Sequence, residues 1–122
     1  MCYILQMVLL QKQKENRSTP RLNFRSEIRY QLRGKPDFDR GISKDISCGG
    51  LRLTNEQFIP TSSLVMLEIN VLNRILRPIG KVAWSTPLAH SNRSQTGIEF
   101  IEFSGTERNY LKDFIDMQIR PV

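Results

Sequence analysis

The sequence is poor in the residues that build metal sites and disulfide frameworks. Its 122 residues include two cysteines, Cys2 and Cys48, and one histidine, His90. The cysteines lie far apart and form no CxxC pair, so a zinc site could be assembled only with heavy use of carboxylates. Two such cysteines suit a reducing compartment, in which both remain thiols. We therefore expect a cytoplasmic protein that holds no metal.

Long apolar runs are also missing. The most apolar segment, residues 1–10, is shorter than the roughly 20 residues that a membrane span needs. It also lacks the positive start and the small-residue cleavage site of a signal peptide. We expect no membrane span, and we predict that this segment is an appended strand or short helix that packs on the domain or on a partner. A length of 122 residues is typical of one domain that folds without disulfides.

Sequence motifs of catalytic sites are absent as well. The chain has no GxxxxGK phosphate loop and no GxSxG nucleophile elbow. His90 lies in a polar segment, which favours a solvated side chain. Glu99 and Glu102 fall on opposite faces of a strand unless a bulge realigns them. We therefore expect no enzymatic activity.

What the sequence has in excess is positive charge. Eighteen Lys and Arg residues oppose twelve Asp and Glu residues, which gives a net charge of +6. Residues 11–40 hold nine of the basic residues and four of the acidic ones, so this stretch alone carries +5. Arginine outnumbers lysine there by six to three, which favours bidentate recognition of phosphates or base edges. The charge indicates either a solvated face or a polyanionic partner, such as a nucleic acid, an anionic lipid or a nucleotide.

Period-two alternation is clearest near the start of this basic stretch. Over residues 22–33 the even positions are mostly apolar and the odd positions are polar or charged. This pattern predicts one strand with a buried face and a wet face. The wet face would carry Arg25, Arg29 and Arg33.

A second strand is predicted over residues 40–47, with Ile42 and Ile46 pointing inward, before Gly49 and Gly50 break the chain. Later strands are predicted over residues 51–53, 64–69, 75–84 and 96–103. We expect a bend near Pro78, and a bulge where the apolar phase changes between residues 100 and 101. Several short strands with no helix between them favour a small antiparallel barrel or sandwich.

The end of the chain changes to a helical period. Ser104 and Glu107 fit a capping box, in which the serine accepts from the third helical amide and the glutamate reaches back. An apolar stripe follows at helical spacing and should cover the sheet or one open end of the barrel. Its members are Tyr110, Leu111, Phe114, Ile115 and Gln118.

Two polar segments are candidates for a binding site. Arg17 and Arg21 lie just before the first strand, and Pro20 keeps residue 19 out of helical geometry, so both guanidiniums can converge on one ligand. Each can clamp a phosphate or the O6/N7 edge of guanine, and each can stack on a base plane.

The other segment, residues 45–50, lies at a strand end. If Ile46 faces the core, alternation places Asp45 and Ser47 together on the outer face. Asp45 could then accept from a guanine N1/N2 edge, and Ser47 could bond a phosphate or a base. Gly49 and Gly50 permit a tight turn and a close backbone approach. The same segment is also typical of a strand-ending turn whose Asp and Ser satisfy their own backbone.

In this order and at this distance, the two segments resemble the PilZ domain family, the bacterial receptors for cyclic di-GMP. The family pattern is RxxxR in a linker, then one strand and a turn, then [DN]xSxxG, and the chain has no substitution at a motif position. Residues 51–53, 80–84 and 97–100 also resemble strands of the family. The resemblance covers about residues 16–118, which leaves residues 1–15 as an N-terminal extension.

The resemblance implies a mostly β fold, a six-stranded antiparallel β-barrel with a C-terminal α-helix, and no catalysis. The domain would span residues 16–120, divided into a ligand-binding linker (16–22), the barrel (22–103) and the helix (104–119). The ligand would be cyclic di-GMP, with no other cofactor. Its site residues would be Arg17 and Arg21 as the clamp, Asp45 and Ser47 as the polar wall, and Gly49 and Gly50 at the close approach.

Arg21 and Arg25 would also satisfy RxxxR. Arg25 lies inside the alternating strand, however, whereas Arg17 lies in the linker before it, so we favour Arg17 and Arg21 as the clamp. With no room for an output domain in these 122 residues, the signal should pass by ligand-induced rearrangement to an unidentified effector protein, in motility, biofilm or exopolysaccharide control.

Two other readings of the chain remain. The chain could be a PilZ-like adaptor for other proteins that does not bind the nucleotide. It could also be a small basic barrel that binds RNA or DNA. The aromatic residues oppose the nucleic-acid reading, because they alternate as core residues do and form no exposed stacking platform. They are Phe24, Tyr30, Phe100 and Phe103.

Overall fold

The computed structural model describes residues 20–119, which form eight strands and one helix. The predictions for residues 1–10 and for most of the linker lie outside the described residues. The elements are β1 (Leu22–Asn23), β2 (Glu27–Leu32), β3 (Asp39–Ser47), β4 (Gly50–Asn55), β5 (Leu64–Val71), β6 (Arg74–Leu76), β7 (Ile79–Pro87), β8 (Ser94–Glu102) and α1 (Gly105–Ile119).

Six of these strands close into a barrel. The antiparallel pairings run β3–β2–β5–β7–β8–β4 and return from β4 to β3. The two short strands lie beside this ring, β1 against β3 and β6 against β5. The predicted six-stranded antiparallel barrel with a C-terminal helix is therefore confirmed. Because the ring is closed, each of the six strands is hydrogen-bonded to a neighbour on both sides over at least part of its length.

The first predicted strand is two strands in the structure. β1 and β2 are separated at residues 24–26, where the Ser43 hydroxyl takes the place of a ladder partner by accepting from the Ser26 N–H at 3.0 Å. The predicted faces are confirmed, because Ile28 and Tyr30 are buried. The arginines of the wet face are exposed, and they are Arg25, Arg29 and Arg33.

A bulge in β3 sets the orientation of the residues that follow it. The pairing with β4 passes from Ser43 opposite Leu53 directly to Asp45 opposite Arg52, so Lys44 has no partner on β4. The extra residue reverses the alternation. Ile46 is fully buried, as predicted, but the prediction for Ile42 is wrong, because this residue is half-buried and lies outside the hydrophobic core.

The bend and the second predicted bulge are both present. The predicted strand over residues 75–84 is interrupted at Arg77 and Pro78, which separate β6 from β7. On β8, Ile101 is skipped between the pairs Ile79–Glu102 and Gly80–Phe100, which confirms the predicted bulge. A further bulge skips one residue of β7 just before Trp84.

The helix α1 closes one end of the barrel. Its buried residues are Leu111 and Ile115, and its Tyr110 hydroxyl donates to the Val71 carbonyl at the end of β5, at 3.2 Å. The predicted cover over the barrel is therefore confirmed, although Gln118 of the predicted stripe is exposed.

The capping box is half formed. The Ser104 hydroxyl accepts from the Glu107 N–H at 3.1 Å, as predicted. The Glu107 carboxylate, however, accepts from the backbone N–H of Arg77 at 2.9 Å rather than from Ser104. The prediction that the Glu107 side chain bonds the backbone of Ser104 is thus wrong, because its carboxylate is bonded to the backbone N–H of Arg77, between β6 and β7.

Candidate functional site

An open cavity of about 500 Å³ lies on the outside of the barrel, over β4 and β8. Its volume falls in the range of sites for small molecules and cofactors. The β3–β4 turn forms one side of it and β7 forms the other. Its functional side chains and turn residues are Arg21, Ser47, Gly49, Arg52, Trp84 and Glu99.

The carboxylate of Asp45 organises one end of the cavity. Arg21 donates to Oδ1 from Nε at 3.1 Å and from Nη2 at 2.9 Å. Arg52 donates from Nε to Oδ2 at 2.9 Å, and its Nη2 bonds the same oxygen. The Asp45 side chain is only 6% exposed, whereas those of Arg21 and Arg52 are 43% and 36% exposed. Two guanidiniums therefore cover one buried carboxylate and reach the cavity themselves.

These contacts fix the protonation state of Asp45. Burial alone would raise the pKa of the Asp45 carboxyl, but the hydrogen bonds from Arg52 and then from Arg21 outweigh it and lower the pKa below its ordinary value. The hydrogen bond to Asp45 in turn raises the pKa of Arg52. This end of the cavity therefore holds two cations, Arg21 and Arg52, and one anion, Asp45, at neutral pH.

Ser47 lies on the same side of β3 as Asp45. Its hydroxyl accepts from Arg21 Nη1 at 3.4 Å and from the Gly49 N–H at 3.1 Å. Arg21 thus bridges both side chains, which agrees with the prediction that they share a face. That face is not wet, however, because Asp45 and Ser47 are 4% and 2% exposed.

The position of Asp45 changes what it can contact. Its oxygens are occupied by arginine N–H groups, and it is not among the residues that line the cavity. A guanine edge could reach this carboxylate only by displacing Arg21 or Arg52. In this structure Asp45 acts on the cavity by holding the two arginines.

The two glycines of the turn have different reasons to be glycine. A Cβ at Gly50 would collide with the carbonyl oxygen of Ile98, because β4 approaches β8 closely there. A Cβ at Gly49 would meet only the Ser47 hydroxyl, at 3.9 Å. The close approach at Gly50 is therefore to the barrel itself, although both glycines line the cavity.

Sequence reasoning did not assign to the site the three other charged or aromatic residues of the cavity, Arg52, Trp84 and Glu99. Arg52 could have been found from the cross-strand pair that it makes with Asp45, but that register depends on the bulge in β3. Trp84 is 37% exposed, and its indole lies so close to Gly97 that no side chain would fit there. Its signal was the single tryptophan of the chain at the end of an apolar strand. Glu99 alternates outward on β8, and nothing in the sequence distinguished it from a solvated residue.

Arg17 lies outside the described residues, so the structure locates only Arg21 of the predicted clamp. Among residues 20–119, no three His, Cys, Asp or Glu side chains come together as a metal site would require. Over the same residues, no helix is both long enough and apolar enough to cross a membrane.

The family to which these features belong is identified by comparison. The model of the PilZ domain family matches residues 15–117, and the chain therefore belongs to the PilZ domain family. PilZ domains are receptor and regulatory domains, generally for cyclic di-GMP. No curated protein sequence gives a match.

Solved structures with the same fold include the Bacillus subtilis inhibitor of motility MotI/DgrA, with a TM-score of 0.73 and 17% identity over 91% of this chain. The chain spans 55% of the length of that protein. The PilZ domain of Escherichia coli YcgR, solved with c-di-GMP, gives a TM-score of 0.66 at 15% identity, covering 86% of this chain and 92% of that one. The PilZ domain of CeSA from a cellulose-synthesizing bacterium gives 0.55 at 12% identity, covering 80% and 93%.

Proposed function

We propose that the chain is a cytoplasmic, non-enzymatic receptor for cyclic di-GMP, which passes its signal to a protein partner. The observation that carries this proposal is the placement of Arg21, whose guanidinium bridges Asp45 and Ser47 at the edge of the cavity. Membership of the PilZ family supports the choice of ligand, and the intact RxxxR and DxSxxG motifs support it further.

Preorganisation of the arginines supports binding of a phosphodiester. Arg21 and Arg52 are held by a buried carboxylate, yet more than a third of each side chain is exposed. A guanidinium can donate to Asp45 from one edge and still present N–H groups on another. Part of the conformational entropy of binding has therefore already been lost in the folded protein.

Two other residues of the cavity, Trp84 and Glu99, suit a purine. The exposed part of the Trp84 indole offers a surface on which a base can stack, which is worth about 1–3 kcal/mol per base. Glu99 supplies a carboxylate within the same cavity, and it can accept from the N1–H and N2–H donors of guanine. The cavity thus contains groups that suit both chemical parts of a guanine nucleotide.

The charge of the cavity assigns a role to the linker. Arg21 and Arg52 are balanced by Asp45 and Glu99, so these four groups sum to zero. A dianionic ligand needs additional positive charge, which Arg17 would supply when the linker folds over it. Rearrangement of the linker on binding would then present a new surface to the effector protein.

Calorimetric titration with cyclic di-GMP tests the proposal. Arg21→Ala should weaken binding by at least about tenfold, because charge-assisted hydrogen bonds are worth about 1.5–3 kcal/mol, while the barrel remains folded. Arg25→Ala is the matched control, since Arg25 is exposed and would satisfy the alternative register of RxxxR.

GTP and a random oligonucleotide complete the titration and should not compete. Unchanged affinity in a folded Arg21→Ala variant would refute the assignment of the site, and loss of binding in Arg25→Ala would shift the clamp by four residues. Preferred binding of the oligonucleotide would favour a nucleic-acid receptor instead.

One observation favours a second candidate, an adaptor that does not bind the nucleotide. Arg21 already forms three hydrogen bonds to Asp45 and Ser47, and an adaptor would need nothing more from it. In that case none of the three ligands would bind to the wild-type protein.

A further inference from the structure

The turn between β3 and β4 is anchored from two directions. The Cys48 carbonyl accepts a hydrogen bond from Arg108 Nη1 on α1, at 3.1 Å. The Gly49 carbonyl accepts from the Phe100 N–H on β8, at 2.8 Å. The same turn presents Ser47 and Gly49 to the cavity. Two consecutive carbonyls of this turn therefore attach a wall of the cavity to α1 and to β8.

Aromatic contacts join the two anchors to each other. The Arg108 guanidinium lies over the Phe103 ring, 5.2 Å from its centroid. Phe103 in turn meets Phe100 edge to face, with centroids 5.2 Å apart and planes at 74°. Cation–π and edge-to-face contacts are both favourable and directional. They restrict the guanidinium to the position from which it reaches Cys48.

Other contacts hold α1 without touching this turn. Glu107 accepts from the Arg77 N–H and the Tyr110 hydroxyl donates to the Val71 carbonyl. Leu111 and Ile115 are buried in the core. Removal of Arg108 should therefore loosen the turn while leaving α1 docked by these other residues.

We propose that Arg108 is a positioning residue for the cavity. It holds the β3–β4 turn in the conformation that presents Ser47 and Gly49, and through it ligand binding and the docking of the first turns of α1 stabilise each other. The coupling is reciprocal, as linkage requires. The inference rests on the proposed function and deepens it, because α1 becomes the element through which occupancy of the cavity reaches a protein partner.

The first test uses the protein without ligand. Amide hydrogen exchange is measured by NMR at Gly49, whose N–H donates to Ser47, and at Phe100, whose N–H donates to Gly49. Both amides should exchange faster in Arg108→Ala than in wild type, after correction for global stability. Tyr110→Phe is the matched control, because it removes a hydrogen bond of α1 that lies away from the turn, and its rates at these two amides should stay at the wild-type values.

Arg108→Lys extends the test if the alanine variant does not fold. A lysine keeps the cation but loses the planar guanidinium, so exchange at Gly49 and Phe100 should still be faster than in wild type. Wild-type exchange rates at both amides, in whichever variant is folded, would overturn the proposal. Equal acceleration in Tyr110→Phe would also overturn it, since Arg108 would then be no more than one of several helix contacts.

The second test adds cyclic di-GMP. Loss of Arg108 should weaken binding by roughly five- to twentyfold, within the usual range of coupling between sites, whereas Tyr110→Phe should change it less than about twofold. Ligand should slow exchange of the amides of residues 108–111 in wild type but not in the Arg108 variant. Unchanged affinity despite a loosened turn would refute the coupling. If wild type binds no cyclic di-GMP, the proposed function fails, and the ligand-free exchange rates alone decide whether Arg108 positions the turn.

Discussion

Asp45 is nearly inaccessible to solvent, and its contacts determine what it can contribute to binding. A buried carboxylate is costly unless it is paired, and Arg21 and Arg52 supply both the opposite charge and the hydrogen bonds that satisfy its oxygens. The three residues therefore depend on one another. Removal of the carboxylate would leave two guanidiniums without the group that directs them into the cavity.

The low pKa of Asp45 predicts a pH dependence of stability. A carboxyl whose pKa is lower in the folded than in the unfolded protein stabilises the fold above the unfolded value of about 3.9, and this contribution is lost as the pH falls towards the folded value. Asp45→Asn should lower the free energy of unfolding by roughly 1–3 kcal/mol at neutral pH. The deficit should shrink as the pH falls below about 4.

Denaturant unfolding curves measured between neutral and acidic pH check this prediction. Asp113→Asn is the control, because Asp113 is an exposed carboxylate of α1 and its removal should leave the curve nearly unchanged. A constant difference between wild type and Asp45→Asn across the whole range would show that the ion pairs do not set the pKa of this residue.

At the scale of elements, the two glycines at the β3–β4 turn should respond differently to substitution. Gly50→Ala places a methyl group against the Ile98 carbonyl and should lower the free energy of unfolding by about 1–3 kcal/mol, the usual cost of overpacking. Gly49→Ala has room for its methyl group and should change stability by less than about 1 kcal/mol. Gly49→Ala should nevertheless weaken nucleotide binding, because Gly49 lines the cavity and its methyl group would lie beside the Ser47 hydroxyl.

Chemical denaturation and calorimetry of the two variants distinguish these roles. A folded Gly49→Ala variant with wild-type affinity would show that the ligand does not approach the turn. Full stability of Gly50→Ala would show that β4 can move away from β8 at little cost.

The same strands show which features could be predicted from the sequence and which could not. Alternation located Ile28, Tyr30 and the wet arginines, and a phase change revealed the bulge at Ile101, because both signals are local. The bulge at Lys44 was hidden, since Ile42 and Ile46 read as one face of a regular strand. The pairing of Asp45 with Arg52 could not be predicted either, because the closed barrel, rather than either strand alone, sets the cross-strand register.

At the scale of the whole molecule, charge is distributed unevenly between the cavity and the linker. The net charge is +6, yet the ionised groups around the cavity in the described residues cancel. Several exposed arginines are paired with acids elsewhere on the barrel, as Arg29 is with Glu68 at 2.6 Å. Residues 1–20 carry +2 of this charge, from Lys12, Lys14 and Arg17 against Glu15, so part of the long-range attraction of a dianion should come from the chain before β1.

This distribution predicts that binding depends on salt and that the linker contributes to this dependence. Affinity for cyclic di-GMP should fall as ionic strength rises, because exposed charges are screened over about 8 Å at physiological salt. Arg17→Ala should weaken binding at low salt by roughly tenfold and should reduce the salt dependence. Arg33→Ala serves as the control, since this exposed arginine lies after β2. Titrations at several salt concentrations measure both effects, and a dissociation constant that does not change with salt would contradict the clamp.

The packing of Trp84 on Gly97 has a spectroscopic consequence. Trp84 is the single tryptophan of the chain, and it lies partly exposed on the wall of the cavity. Tryptophan fluorescence of this protein therefore comes from one known position, and no dye has to be attached. The emission maximum reports the local polarity of that wall, so the native chain carries its own probe at the place where its ligand is proposed to bind.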